Sequence, residues 1–219
     1  MLLIDAGTGV QRLVEHPELL EGAKRLDIVL THFHLDHVAG LSYLPALPLK
    51  AEIWGPGQAL YGTSTEALLG RVLGKPVFAA PVQEIAAAVR EIPAGPFEAG
   101  PFGVSAREQR LHTDPTLAVR IGDELTYCTD TAADPGNAEF AEGSRLLFHE
   151  AWYAQASTDD ETHTAAGEAG RIAKAAGVAR LVLIHVSPLG ISDDELVGPA
   201  RAEFPATDVG EDLAPVIAT

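Results

Sequence analysis

The apolar positions of this chain fall in short runs separated by Gly, Pro and charged residues, the spacing of strands interleaved with helices. Leu2-Leu3-Ile4 predicts a strand ending at the turn Asp5-Ala6-Gly7-Thr8-Gly9, with a short helix following through Val14. Asp27-Ile28-Val29-Leu30 predicts a buried strand that stops at Thr31. After it the pattern predicts a helix near residues 38–44, a strand at 52–54 and a helix starting near Gln58. Residues 74–103 are rich in Gly and Pro, with one helical piece expected over 82–90. From Val104 the period shortens, and residues 104–111, 116–121 and 124–129 predict three successive strands, the last two joined at Gly122-Asp123. Further strands are expected at 145–148, 181–184 and 214–218, and helices at 165–176 and 193–203. Strands mixed with helices in both halves give a layered α/β protein.

Composition narrows the function classes. The 219 residues suit one large domain or two tightly merged halves, and 47% hydrophobic with 21% charged residues is a globular balance. Lys and Arg total 15 against 31 Asp and Glu, so 15 − 31 gives a net charge of −16. A field of that sign repels nucleic acid and anionic membranes unless positive charge is concentrated locally, and bound divalent metals supply such a concentration. Cys128 is the single cysteine, which excludes an intramolecular disulfide, and its strand context predicts a buried side chain. No segment is long enough for a membrane helix, and Asp5 interrupts the apolar start too early for a signal peptide, so a cytoplasmic location is expected.

The chemistry concentrates at strand ends. Thr31-His32-Phe33-His34-Leu35-Asp36-His37 places four metal-ligand types within six positions directly after a buried strand. In an extended segment alternate side chains share a face, so His32, His34 and Asp36 can converge, with His37 turning toward a second ion. Neutral imidazoles with a carboxylate suit zinc, and two adjacent sites make a two-metal clamp. His112, Asp130 and His185 each end a separate predicted strand, where a sheet edge can gather them. The turn Trp54-Gly55-Pro56-Gly57 has neither the Walker spacing nor a Lys and reads as a plain strand-to-helix turn.

The H-x-H-x-D-H motif at 32–37, the strand-end His112, the Asp of Tyr127-Cys128-Thr129-Asp130-Thr131 and the final His185 resemble the metallo-β-lactamase superfamily. The nearest branch in pattern is that of the ribonuclease Z-like phosphodiesterases. Leu147-Phe148-His149-Glu150-Ala151 resembles its His-Glu-Ala box, Thr162-His163-Thr164-Ala165-Ala166 its helix start, and Leu183-Ile184-His185-Val186-Ser187-Pro188 its last ligand motif. The resemblance covers nearly the whole chain, so residues 1–219 are expected to form a single domain of this kind, an αββα sandwich. It implies that His32, His34 and His112 hold one ion, Asp36, His37 and His185 the other, and that Asp130 bridges. Two divalent ions are implied, zinc first, with manganese and iron as the other candidates. Asp36 is implied to orient or deprotonate the attacking water. His163, near a helix start whose dipole disfavours imidazolium, is implied to pair with Glu150 and to stabilise or protonate the leaving group. His149 is implied to be structural.

Two departures from the family pattern shape the expected function. Ribonuclease Z proper carries a long basic arm between the positions matched by His112 and Asp130, whereas here 130 − 112 leaves a separation of 18, filled by one predicted hairpin. Together with the net charge this argues against tight transfer-RNA binding. The family also has one or more strands before the one matched by Leu2–Ile4, so the sandwich is expected to be short at its N-terminus and the exposed edge to favour a homodimer. A phosphodiesterase acting on small or flexible phosphodiesters or short oligonucleotides is the expected function. Transfer-RNA 3′ endonuclease is the alternative, and thioester or lactone hydrolysis a further one.

Overall fold

Leu26 to Val29 are buried at every position, which is how a strand reads when it is covered on both faces and flanked on both sides by parallel neighbours. The computed structural model describes residues 1–156, 162–188 and 190–216 and divides into two units, Met1–Val104 and Ser105–Thr219.

The first unit is built on a four-stranded parallel sheet of β1 (Leu2–Ile4), β2 (Leu26–Val29), β3 (Ala51–Gly55) and β4 (Ala88–Glu91), in that spatial order. Register runs straight across it, from Leu3 to Ile28, Ile28 to Ile53 and Ile53 to Val89. Parallel neighbours require crossovers. These are α1 (Gln11–Glu15) between two short 3-10 turns, then α2 (Leu35–Val38) running into the 3-10 segment Ala39–Ala46. The third is formed by α3 (Gly57–Tyr61), α4 (Thr65–Leu69) and α5 (Val82–Ile85). Ile28, Leu30, Ile53, Val38, Leu41 and Leu44 form the heart of its core. The helix expected over 82–90 is corrected here: α5 stops at Ile85, and residues 88–91 are strand β4. The Ala-rich stretch has helical propensity, but the free edge of β3 offers a full ladder of backbone partners, and tertiary pairing wins. Trp54-Gly55-Pro56-Gly57 is the plain β3-to-α3 turn expected.

β5 (Phe97–Ala99) pairs antiparallel with residues 102–104 of β6 (Phe102–Gln109), the strand on which the division between the units falls. The second unit contains β7 (Thr116–Ile121), β8 (Leu125–Cys128), β9 (Leu146–Glu150), β10 (Arg180–Ile184) and β11 (Thr207–Val209). Spatial order across this larger sheet is β11-β10-β9-β8-β7-β6-β5. β7 and β8 form the predicted hairpin, turning at Gly122, while β8, β9, β10 and β11 run parallel. α6 (Gly136–Ala141), α7 (Ala166–Ala176) and α8 (Asp193–Glu203) complete the unit. The small residues of α7 let α8 come close, since a Cβ on Gly170 would lie 2.7 Å from the Ala200 carbonyl oxygen. Ser192 caps α8 reciprocally with Glu195. Cys128 is buried, and burial raises its thiol pKa. The strand expected at 214–218 is also corrected: residues 214–216 lie outside any element and 217–218 outside the described residues. The closing strand is β11, because Thr207–Val209 find partners in Leu181–Leu183.

Candidate metal centre

Parallel neighbouring strands end at the same sheet edge, so residues just past their C-termini are brought together by topology alone. In the first unit Asp5 follows directly on β1, and Thr31 and His32 lie two and three residues past the end of β2. Asp5 accepts hydrogen bonds from the Thr31 backbone N–H at 2.7 Å and the Thr31 hydroxyl at 2.8 Å. Its other contact is His37 Nδ1 at 2.8 Å, so Nε2 is the nitrogen that could ligate a metal. His32 Nδ1 is likewise engaged, by the Thr31 hydroxyl at 3.0 Å. The rings of His34 and His37 lie 4.5 and 4.2 Å from that of His32. Asp36 Oδ2 stands 3.3 Å from His37 Nε2. One detail of the sequence reading changes: α2 begins at Leu35, so Asp36 sits in a helical turn and only His32 and His34 follow the extended alternation.

Asp5 was missed as a site residue, although it carries the same signal as the others, an acidic side chain at the end of an apolar strand. Its turn is locked against α2: Ala6 N–H donates to the His37 carbonyl and Gly40 N–H to the Ala6 carbonyl, both at 2.8 Å. A Cβ on Gly7 would collide with the Asp36 carbonyl, and one on Gly40 with the Gly7 carbonyl, so both positions require glycine. Asp5→Asn is expected to weaken divalent-metal binding ~10–100-fold while the chain still folds, since it keeps a side-chain oxygen for Thr31 but loses the carboxylate that orients His37. Competition against a chelating dye measures this, and unchanged affinity would remove the orienting role.

In the second unit β8, β9 and β10 deliver Asp130, Glu150 and His185 at one edge. Asp130 and His185 have φ of 49° and 48°, a left-handed conformation that costs a non-glycine residue ~1 kcal/mol and is held here by the surrounding bonds. The Thr129 hydroxyl donates to Asp130 Oδ2 at 2.7 Å. The other oxygen, Oδ1, lies 3.7 Å from His112 Nε2 and 3.5 Å from His185 Nε2. These separations are too long for hydrogen bonds. Two donors sharing a tetrahedral ion at bonds of ~2.1 Å stand ~3.4 Å apart, which is the spacing seen. His112 lies three residues past the end of β6 rather than on the strand, and the Thr162 carbonyl accepts from its Nδ1 at 3.0 Å.

Glu150 is fully buried and receives His163 Nδ1 on Oε2 at 2.8 Å, while the Thr131 backbone N–H donates to Oε1. Burial pushes its carboxyl up to about 7, against the lowering effect of the His163 bond. Asp130, His163 and His185 offer ligand atoms within 4.8 Å of one another. Trp152, also unforeseen, packs against both His163 and His185.

His149 is fully buried. Its Nδ1 donates to the Glu150 carbonyl at 2.9 Å, and Asn137, itself held by Arg107, faces Nε2 at 3.5 Å. Burial drops its pKa to about 4 from the usual 6.5. The unfolded chain therefore takes up a proton below pH 6.5 that the folded chain refuses until about pH 4. Stability falls as pH drops through that window, by at most about 3 kcal/mol from this group. His149→Gln is expected to flatten that part of the stability-versus-pH curve in metal-free protein, measured by urea unfolding; an unchanged slope would assign it to other groups.

The sequence profile described as "Beta-lactamase superfamily domain" matches residues 1–186. The chain belongs to the beta-lactamase superfamily. It is 28% identical over 282 residues to a ribonuclease Z of Synechococcus sp. strain WH7803, covering 99% of this chain and 86% of that one. It is 29% identical over 202 residues to the probable metallo-hydrolase YhfI of Bacillus subtilis, covering 88% and 78%. The crystal structure of YhfI superposes with a TM-score of 0.74 at 24% identity, over 96% of this chain and 84% of that one. A diphosphatase from the PhnP family follows at 0.68 and 20%, over 96% and 77%. This chain therefore has the α/β fold of the superfamily and is a metal-dependent hydrolase of the ribonuclease Z-like branch, whose fold implies divalent ions. Among the described residues no helix is long and apolar enough to cross a membrane.

Proposed function

We propose that the protein is a two-metal phosphodiesterase acting on small or flexible phosphodiesters. His32, His34 and His112 would hold one ion, Asp36, His37 and His185 the other, with Asp130 shared between them. Supporting this are the imidazoles whose Nδ1 atoms are already engaged, and above all the single oxygen of Asp130 at ligand spacing from two imidazole nitrogens. An all-imidazole and carboxylate donor set favours zinc. Bound ions would supply Lewis acidity and a water acidified into the neutral range. Asp36, exposed at 64% of its side chain, would orient that water and accept its proton. His163 is held by Glu150 through Nδ1, so its Nε2 is the atom that would give a proton to the leaving oxygen as the P–O bond breaks. That dyad favours phosphoester chemistry over thioester hydrolysis, whose thiolate departs without a proton.

Transfer-RNA 3′ processing is the second reading, favoured by the ribonuclease Z relative. Against it stands the tight β7–β8 hairpin, which takes up residues 116–128 of the 17 between His112 and Asp130 and leaves no room for an arm there. The alignment to that relative spans 282 positions, so at least 63 of them (282 − 219) face no residue of this chain. The net charge of −16 also opposes tight RNA binding.

The test is hydrolysis of bis(p-nitrophenyl) phosphate by zinc- or manganese-loaded protein beside a chelator-treated control. Metal-dependent turnover is expected. Its absence in protein shown to hold both ions would move the assignment to thioesters or lactones.

A further inference from the structure

We infer that Trp152 is the positioning residue for His163, its indole clamping the imidazole so that Nε2 keeps one direction. The kinetic consequence rests on the phosphodiesterase reading above; the clamp itself does not.

Trp152 lies two residues beyond Glu150, and His163 eleven further along the chain. Two backbone bonds tie their segments together, Trp152 N–H to the Thr164 carbonyl at 3.0 Å and Ala166 N–H to the Tyr153 carbonyl at 2.8 Å. This pairing brings the indole face to face with the His163 ring, with centroids 4.7 Å apart and planes only 16° apart. The Glu150 hydrogen bond fixes where Nδ1 sits, and rocking about the Nδ1···Oε2 line is the motion that the neighbouring rings oppose: His185 at 5.6 Å, His112 at 5.0 Å and, nearest and most nearly parallel, the indole. A flat aromatic face against the ring removes that motion, and with it the spread in Nε2 direction. A general acid misplaced by a fraction of an ångström loses much of its effect, because proton transfer to the leaving oxygen needs hydrogen-bond geometry at that instant. Trp152 also lies 5.1 Å from His185, but tilted by 34°, so the closer and more nearly parallel contact is to His163.

Two variants of the metal-loaded full chain, Trp152→Ala and Trp152→Phe, test this on two diesters. One is bis(p-nitrophenyl) phosphate, whose leaving group departs without a proton; the other is a dinucleotide, whose alkoxide does not. Trp152→Ala is expected to lower kcat on the dinucleotide ~10–100-fold with KM and bound metal unchanged, and on the nitrophenyl ester less than ~3-fold. Trp152→Phe, which keeps a flat ring, should restore the dinucleotide rate to within ~3-fold. Equal losses on both esters, loss of metal from the Ala variant, or a Phe variant no better than Ala would each overturn the assignment.

A measurement without substrate separates the clamp from the proposed function. The proton on His163 Nδ1 should be protected and visible by NMR in wild type and Trp152→Phe, and lost to exchange in Trp152→Ala. Should wild type cleave neither diester, the phosphodiesterase reading fails, and the clamp stands or falls on that proton; an unchanged signal in Trp152→Ala overturns it. In a Trp54→Phe background Trp152 is the sole tryptophan, so replacing His163 with Ala should raise its emission if the rings are stacked; no change contradicts the stack.

Discussion

Asp130→Ala is expected to reduce metal-dependent hydrolysis by at least ~10³-fold and bound metal from two ions per chain to one or fewer. Its carboxylate is buried, with Oδ2 held by the Thr129 hydroxyl and Oδ1 directed between His112 and His185. Two divalent cations close together repel strongly, and a shared anionic oxygen is what offsets that repulsion where water is excluded. Removing Asp130, if it is the shared ligand proposed above, would take one ligand from each ion and the negative charge between them at once. Asp130→Asn keeps the size and hydrogen-bonding span but not the charge, so it should lie between wild type and Ala. Metal content by elemental analysis and turnover on the same preparations provide the check. Two ions retained with activity within tenfold of wild type would show that Asp130 is not the shared ligand.

His163→Ala is expected to lower kcat by ~10²–10⁴-fold, the usual worth of a general acid, while both ions stay bound. The reason lies in how its nitrogens are committed: Nδ1 is spent on Glu150, which is itself fixed by the Thr131 backbone. The loss should be largest for diesters with poor leaving groups and shrink for p-nitrophenolate, which needs no proton. Because Asp130, His163 and His185 offer ligand atoms within 4.8 Å, a competing outcome is well defined. Loss of an ion in His163→Ala would make His163 a ligand and leave the proton donor unassigned. Glu150→Gln should follow His163→Ala in its leaving-group dependence, since it withdraws the acceptor that orients the imidazole.

How much of this was visible beforehand follows from what each residue depends on. His32, His34, Asp36 and His37 could be picked out because they are contiguous and abut an apolar strand, so both their chemistry and their placement are local. His112, Asp130 and His185 were legible for a related reason: each closes or follows a strand whose apolar pattern is itself readable. The hairpin between His112 and Asp130 was equally plain, since antiparallel neighbours joined by a short turn are a local event. Strand β4 was not, because an Ala-rich stretch holds helical propensity and only the open edge of β3 decided against it. The final strand failed in the same way, its partner β10 being set by the fold rather than by its own composition.

The sequence by itself therefore determined the candidate donors, their order along the chain and the class of fold, all of which are written in residue type and short-range periodicity. The tertiary structure alone decided which groups stand behind those donors. Asp5 reaches His37 from 32 residues away, Arg107 and Asn137 support His149, and Trp152 meets His163 where two backbone bonds join their segments. Such partners are chosen by parallel strand pairing and backbone bonds between segments, which join distant residues at a shared edge and leave no period in the chain to announce them.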